Sequence, residues 1–326
     1  MRTDAVIQIP ASISSVQQAA EVLANFLTRH APTGHSNGRG TMLLTGAGIS
    51  TPSGIPDYRG AGGTYIVNKT YRPIFFNEFR ERHKFRQRYW ARSFLGYPPV
   101  ARARPNAIHS ACADLLKKDY VNAFVTQNVD GLHTYSHPEL TGRTTEIHGS
   151  LHRVVCLTCH TITHRQEVQD DMARLNPAWA QLAATLPVRR TDSGAQELKT
   201  NPDGDVDLPA SSGVTYETFR YPVCKTSGVL KPSVVFFGES VPVANREAAD
   251  TAQESANSML CVGTSLAVYS SFRFIKACRQ QGKPVAILNQ GHVRDEEKWI
   301  SEAKGDIRIN MDAIEVLPLA LNLIES

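Results

Sequence analysis

No stretch of this 326-residue chain approaches the roughly 18–20 consecutive apolar residues that span a bilayer, so a membrane role is not expected. Residues 1–30 lack the continuous apolar run of a secretory signal. They also lack the Arg-rich, acid-poor character of a mitochondrial leader, because Arg2 and Arg29 are balanced by Asp4 and Glu21. Excess charge is missing too, and a formal net charge of +4 is too weak to argue for a nucleic-acid partner. Cysteine is sparse, with six residues. Cys112, Cys261 and Cys278 sit in apolar or helical surroundings and read as plain buried thiols. Cys156 and Cys159 form a C-x-x-C pair, which in a chain without a secretion signal favours a metal site or redox pair over a structural disulfide. Internal repeats are absent.

What is present is the balance of an ordinary globular protein, 41% hydrophobic and 20% charged, at a length that suggests one large domain plus a lobe. Ser15 to His30 reads as a helix. Ser15 and Gln18 have capping-box spacing, and Val16, Ala20, Leu23 and Leu27 share one face. A glycine-rich linker, Gly34 to Gly40, leads to a short apolar strand, Thr41 to Thr45. Further strands are expected at Ala123 to Thr126, Met259 to Val262, Val285 to Leu288 and Ile307 to Ile309, with helices at Asn106 to Lys118 and Ser271 to Gln281. Alternation of strands and helices predicts an α/β fold with a doubly wound, parallel, Rossmann-like sheet. Two segments break the rhythm and read as insertions. Thr70 to Arg104 is helical and rich in arginine and aromatics. Leu151 to Gly228 carries the C-x-x-C and a polar stretch, Thr191 to Gly213. The expected organisation is a nucleotide-binding domain from 1–60, 105–150 and 229–326, a helical insertion at 61–104 and a small cysteine-bearing lobe at 151–228.

The first chemical motif is Gly46-Ala47-Gly48-Ile49-Ser50 at the end of a strand, where glycines allow backbone to approach a pyrophosphate. Alone it is weak. Thr51 replaces the third glycine of G-x-G-x-x-G, and the ribose-binding acid about 20 residues on is missing, which damages a hydride-transfer reading. Thr126-Gln127-Asn128-Val129-Asp130-Gly131-Leu132-His133 and Glu146-Ile147-His148-Gly149-Ser150 also follow or neighbour expected strands. Open α/β sheets bind ligands at the carboxyl edge of their strands, so Gln127, Asn128, Asp130 and His148 are expected to converge on one crevice.

Taken together, Gly46-Ala47-Gly48-Ile49-Ser50, Gly54-Ile55-Pro56-Asp57-Tyr58-Arg59, Gln127-Asn128-Val129-Asp130, His148-Gly149, Gly263-Thr264-Ser265, Asn289-Gln290-Gly291 and Val234-Val235-Phe236-Phe237-Gly238-Glu239 resemble the signature set of the sirtuins, from about Thr41 to Leu319. Arg86-Gln87-Arg88-Tyr89-Trp90-Ala91-Arg92, Pro202-Asp203-Gly204-Asp205-Val206 and Val268-Tyr269-Ser270 resemble the class II, mitochondrial sirtuin-4 branch. The resemblance implies an NAD-dependent protein-lysine deacylase that acts on acyl-lysine proteins and yields free lysine, nicotinamide and O-acyl-ADP-ribose. Protein ADP-ribosyl transfer and lipoamide removal are implied as accompanying activities, and the mitochondrion as the compartment. It implies that Asn128 and Asp130 orient ribose and nicotinamide, that Gln127 meets the ribose hydroxyls, and that His148 is the general base, a role suited to a pKa near 6.5. Gly46, Ala47, Gly48, Ser50, Thr51, Ile55, Pro56, Asp57, Tyr58, Arg59 and Tyr65 are implied on the phosphates and the nicotinamide side, with Arg59 near the reacting ribose. Val129, Gly263, Thr264, Ser265, Asn289, Gln290, Gly291 and Ala313 complete the implied cofactor contacts, Asn289 replacing the missing ribose acid. Val235, Phe236, Phe237, Gly238 and Glu239 are implied on the substrate side, as are Tyr89 and Arg92, whose Tyr-x-x-Arg spacing matches the acyl pocket of the class specialised for acidic acyl groups.

The family holds structural zinc in two C-x-x-C pairs. Here Cys156 and Cys159 supply the first, while the second reads Cys224-Lys225-Thr226-Ser227, with Ser227 where the last cysteine belongs. Zinc on Cys156, Cys159, Cys224 and a further ligand stands beside a lobe without metal, and Ser227→Cys is expected to strengthen the site. Arg80, Arg82, Lys84, Arg86, Arg88 and Arg92 read mostly as a solvated helix face, with one or two turned to the acyl pocket. Two other functions compete: a non-catalytic NAD-binding interaction module, and an NAD dehydrogenase. Oligomeric state is not legible.

Overall fold

The structure is a computed structural model, and it describes residues 6–32, 40–60, 62–67, 69, 71–135, 137–185 and 213–325. Most of the Gly34 to Gly40 linker, most of the Thr191 to Gly213 stretch and all of Pro202 to Val206 lie outside the described residues.

Strands β1 (Thr41–Thr45), β2 (Val121–Thr126), β3 (Thr144–Glu146), β4 (Gly149–Cys156), β5 (Ile162–His164), β6 (Leu230–Val234), β7 (Ser258–Val262), β8 (Val285–Leu288) and β9 (Ile307–Ile309) form two sheets. The larger is six-stranded and parallel, in the order β3-β2-β1-β7-β8-β9. This is the doubly wound sheet expected from the sequence. Its strand order reverses between β1 and β7, the position at which such sheets open a ligand crevice at their carboxyl ends. The central strands β1, β7 and β8 are buried along their whole length, because helices cover both faces. That is why they read as unbroken apolar runs rather than as alternating ones.

One face is covered by Val16–His30, Ala107–Lys117 and Ala313–Glu325, whose apolar residues (Leu23, Leu27, Ile108, Leu116, Val316, Leu317) join Leu43 and Leu260 in one core. Ser15 caps the first of these helices by accepting from the Gln18 N–H at 3.2 Å, as its spacing with Gln18 suggests. The other face packs Ala249, Phe272 and Ile275 on Met42, Val125 and Ile287. Cys112, Cys261 and Cys278 are buried free thiols. Among the described residues no helix is long and apolar enough to cross a membrane.

The second sheet is antiparallel and three-stranded, ordered β5-β4-β6. The segment 229–234, read from sequence with the large domain, supplies its strand β6. The two insertions share a third core. Phe79, Trp90 and Phe94 from the helical segment pack with Val154, Met172, Trp179 and Phe219 from the cysteine-bearing segment. They therefore form one second lobe over the carboxyl edge of the large sheet. The helix His83–Arg102 lies through this core, burying Tyr89 to Tyr97 without a break. The arginine run, which starts in the preceding helix Phe76–Glu81, is divided. Arg80, Arg82, Lys84 and Arg88 are exposed, as a solvated face should be. Arg86 is half-buried and donates to the Phe79 carbonyl and the Tyr221 hydroxyl, and Arg92 is buried inside the lobe.

Candidate functional site

Between the two lobes runs a cavity of about 1230 Å³ at the strand-order reversal. That volume exceeds the roughly 300–1,000 Å³ of single small-ligand sites and suits a dinucleotide with a second substrate. All the residues assigned from sequence to catalysis and cofactor binding line it, as do Tyr89 and Val235 to Glu239.

The turn after β1 continues as a 3₁₀ segment, Ala47–Ser53. It lies against the turn after β7: the Gly48 N–H donates to the Gly263 carbonyl at 2.9 Å, and a Cβ at Gly48 would fall 2.9 Å from that same oxygen. Glycine is required at this crossing because two backbones meet there. The loop after β2 is tied to both turns. Gln127 Nε2 donates to Thr264 Oγ1 at 2.9 Å, Asn128 Nδ2 to Ser50 Oγ at 3.2 Å, and Ser50 Oγ to Asp130 Oδ2 at 2.7 Å. The Leu132 N–H donates to Asp130 Oδ1 at 3.0 Å. Burial pushes the Asp130 carboxyl above its usual range, while the Leu132 N–H and Ser50 hydroxyl pull it back. Asn128 and Asp130 are thus buried, pre-positioned and aimed at one end of the cavity.

His148 sits between β3 and β4. Its Nδ1 lies 3.0 Å from the Gln127 carbonyl and its Nε2 lies 2.8 Å from Ser270 Oγ. A carbonyl only accepts, so the neutral ring carries its proton on Nδ1 and offers the Nε2 lone pair, which the Ser270 hydroxyl fills. Burial lowers the pKa of His148 from its ordinary value, and the Gln127 carbonyl partly opposes that. The ring is therefore neutral near pH 7, with a basic nitrogen facing the cavity.

In the segment after the 3₁₀ turn, Asp57 accepts from the Gly60 N–H at 3.0 Å and Tyr58 stacks on Tyr65 at 5.8 Å between ring centroids. The Arg59 guanidinium lies over the Tyr65 ring at 4.9 Å. At the opposite end, Asn289 and Gly291 are fixed by the fully buried Arg308. Its guanidinium donates to the Asn289 carbonyl at 2.7 Å, to the Gly291 carbonyl, and to Glu296 Oε2 at 2.6 Å.

The substrate side has an aromatic wall. Phe236 lies 5.1 Å from Phe79 and 5.0 Å from Tyr89 between centroids. The Val235 N–H donates to the His148 carbonyl at 2.9 Å, so the segment following β6 is pinned to the His148 backbone. Lys231, buried beneath, holds Glu239 at 3.1 Å, and the Phe236 N–H donates to the same carboxylate at 2.8 Å. Arg92 is the one assigned substrate residue that does not line the cavity. Its guanidinium lies 6.0 Å from the ring of Tyr71, which does line it. Several lining residues carry no role from the sequence, among them Tyr71, Ile74 and Ser270. Ser270 stands in a tripeptide that marked only a branch resemblance, and the hydroxyl-to-Nε2 geometry arises from folding alone.

The cysteine cluster is separate, in the second lobe and outside the lining of the cavity. The sulfurs of Cys156, Cys159 and Cys224 all lie within 4.8 Å of one another, with Cys159 and Cys224 at 3.5 Å. Zinc–sulfur bonds of about 2.3 Å in a tetrahedron place sulfurs about 3.8 Å apart, so the three thiols fit zinc. The Thr161 hydroxyl, the nearby Thr226 hydroxyl and backbone hydrogen bonding hold the Cys159 thiol down at about 6, which favours the thiolate that zinc requires. The side chain bonded to these sulfurs from the second pair is Thr226, whereas the sequence reading placed Ser227 there.

Comparison with known proteins agrees with this geometry. The Sir2 family model matches residues 46–270. An NAD-dependent protein deacylase SIR4 of Batrachochytrium dendrobatidis is 42% identical over 94% of this chain and 94% of its own length. A protein of the same name from Monosiga brevicollis is 38% identical over 94% of this chain and 89% of its own, and NAD-dependent protein deacetylase 1 of Streptomyces coelicolor is 40% identical over 78% of each. A Sir2 structure with a deacetylated p53 peptide and 3'-O-acetyl ADP ribose shares the fold with a TM-score of 0.65 at 23% identity, over 93% of this chain and 97% of that one. With the family model matching most of the chain, and relatives above 30% identity matching nearly all of it, this protein belongs to the Sir2 family, the sirtuins.

Proposed function

We propose that this protein removes acyl groups from protein lysine with consumption of NAD. The observation that carries this is the neutral His148, whose Nε2 faces the same cavity as buried Asn128 and Asp130. NAD supplies the ribose carbon that accepts the acyl oxygen as nicotinamide leaves. Asn128 and Asp130 hold ribose and nicotinamide in place, and the buried Asp130 carboxylate faces the positive charge that develops there. His148 takes a proton from a ribose hydroxyl at Nε2, the atom Ser270 covers in the free protein. Phe236 and Tyr89 wall the acyl chain away from water. Cys156, Cys159 and Cys224 hold zinc as a brace for β4, outside the lining of the cavity.

The acyl group is longer than acetyl or carries a carboxylate. Tyr89 lines the channel and Arg92 lies behind Tyr71, where a guanidinium attracts an anion at the channel's end. ADP-ribosyl transfer shares the first step and is proposed as a second activity. The mitochondrion follows from branch resemblance alone. The test is release of nicotinamide from NAD with and without an acyl-lysine peptide. Peptide-dependent release supports a deacylase. Binding of NAD without release indicates an interaction module, and formation of reduced nicotinamide indicates a dehydrogenase.

A further inference from the structure

The two halves of the cysteine cluster are turns of different length. In the first, the Cys156 N–H donates to the Thr161 carbonyl at 3.0 Å and the His160 N–H donates back to the Cys156 carbonyl at 3.0 Å. His160 takes the left-handed conformation, φ 59°, immediately after Cys159. In the second, the Cys224 N–H donates to the Gly228 carbonyl at 3.1 Å and the Ser227 N–H donates back to the Cys224 carbonyl at 2.7 Å. Here Ser227 takes the left-handed conformation, φ 59°. Both hydrogen bonds therefore close one residue earlier than in the first turn. Ser227 corresponds to His160, and the residue corresponding to Cys159 is Thr226.

The side chains agree with the backbone. Thr226 Oγ1 donates to Cys224 Sγ at 3.4 Å and lies 3.9 Å from Cys156 Sγ. One oxygen thus meets the sulfurs of Cys224 and Cys156, both within 4.8 Å of Cys159 Sγ, and among the described residues no sulfur hydrogen bond goes to Ser227. Gly228 lets the shorter turn close, since a Cβ there would lie 2.4 Å from Cys156 Sγ.

We propose that Thr226, not Ser227, holds the fourth place around a metal ion bound by Cys156, Cys159 and Cys224, giving a three-thiolate site completed by a neutral hydroxyl. Such a site differs from four thiolates in one unit of charge, and a neutral oxygen is the weaker zinc donor. A cysteine introduced at 226 completes a four-sulfur tetrahedron. One introduced at 227 projects from the residue that turns the chain away, and adds no ligand.

The test compares the full-length protein with Thr226→Cys, Ser227→Cys, Thr226→Val and Thr226→Ser. Zinc content and affinity are read by chelator competition, and the ligand set by the visible spectrum of the cobalt-substituted proteins. Thr226→Cys is expected to tighten zinc by about tenfold or more, the scale on which even a ligand's supporting partner shifts metal affinity. It also strengthens the thiolate-to-cobalt band. Thr226→Val loosens zinc, Thr226→Ser retains it, and Ser227→Cys leaves affinity and spectrum unchanged. A gain for Ser227→Cys equal to that for Thr226→Cys, unaltered affinity in Thr226→Val, or no zinc uptake by the unaltered protein overturns the proposal. These readouts need no turnover, so the metal assignment and the deacylase assignment fail separately.

Discussion

Replacing Arg308 with methionine tests whether the buried ion pair under the cofactor loop positions that loop. Arg308 and Glu296 are both buried, 0% and 3% exposed at their side chains, and they meet at 2.6 Å. Burial pulls the guanidinium below its usual pKa, and the Glu296 carboxylate pulls it back. Removing the arginine strands a buried carboxylate, which keeps the Val293 N–H at 3.1 Å and the half-exposed His292 ring at 3.7 Å, both on Oε1. It also leaves the Asn289 and Gly291 carbonyls without their donor. Breaking a buried pair from one side costs about 3–5 kcal/mol. For a 326-residue chain with an unfolding entropy of about 2.1 cal/mol/K per residue, that lowers Tm by roughly 4–7 °C. The second variant, Arg308→Met with Glu296→Gln, removes the stranded charge and recovers part of this loss. It leaves the Asn289 and Gly291 carbonyls without the Arg308 donor, so NAD affinity measured by calorimetry stays weakened in both variants. A Tm drop below about 1 °C for Arg308→Met, less than one ordinary hydrogen bond is worth, refutes the ion-pair argument. Unchanged NAD affinity in both variants refutes the positioning argument.

His148→Ala is expected to cut deacylation by about 100-fold or more while leaving NAD binding largely intact, the usual worth of a general base; undiminished turnover in a folded variant removes His148 from the chemistry. His109 is buried, which lowers its pKa from 6.5 to about 4, so the unfolded chain takes up a proton that the folded one refuses as pH falls through that window. Stability is full above pH 6.5 and falls by about 3 kcal/mol on reaching pH 4. His109→Gln is expected to flatten this acid limb in denaturant melts, and an unaltered limb contradicts it. Arg92→Met is expected to erase a preference for glutaryl-type over acetyl peptides in a panel that includes long aliphatic acyl groups. If acetyl is the best substrate of the unaltered protein, the acyl-pocket proposal fails while family membership stands.

Much of the large sheet was legible because parallel strands covered on both faces leave unbroken apolar runs such as Thr41 to Thr45 and Val285 to Leu288. The crevice residues were legible because the strands end in glycine turns and polar groups, and a parallel sheet brings all its carboxyl ends to one edge. The two insertions were legible as breaks in the strand–helix rhythm, but their union in one core was not, since it depends on pairs distant in sequence, such as Phe94 with Phe219 at 5.8 Å between centroids. Arg92 was singled out by its Tyr-x-x-Arg spacing within a charged run, but its burial was not legible, because only the wrapping of both insertions around its helix produces it. Ser270 acquires its place against His148 from a segment 122 residues away. Counting C-x-x-S pointed to Ser227, but turn length rather than residue count decides which side chain meets the sulfurs.

The most direct measurement is the product balance of a single reaction mixture containing NAD and an acyl-lysine peptide, followed by mass spectrometry. Free lysine peptide, nicotinamide and O-acyl-ADP-ribose are expected in equal amounts, with the acyl group carried on the ribose. Deacylated peptide with free carboxylic acid and intact NAD, or nicotinamide released with the peptide still acylated, contradicts the assignment.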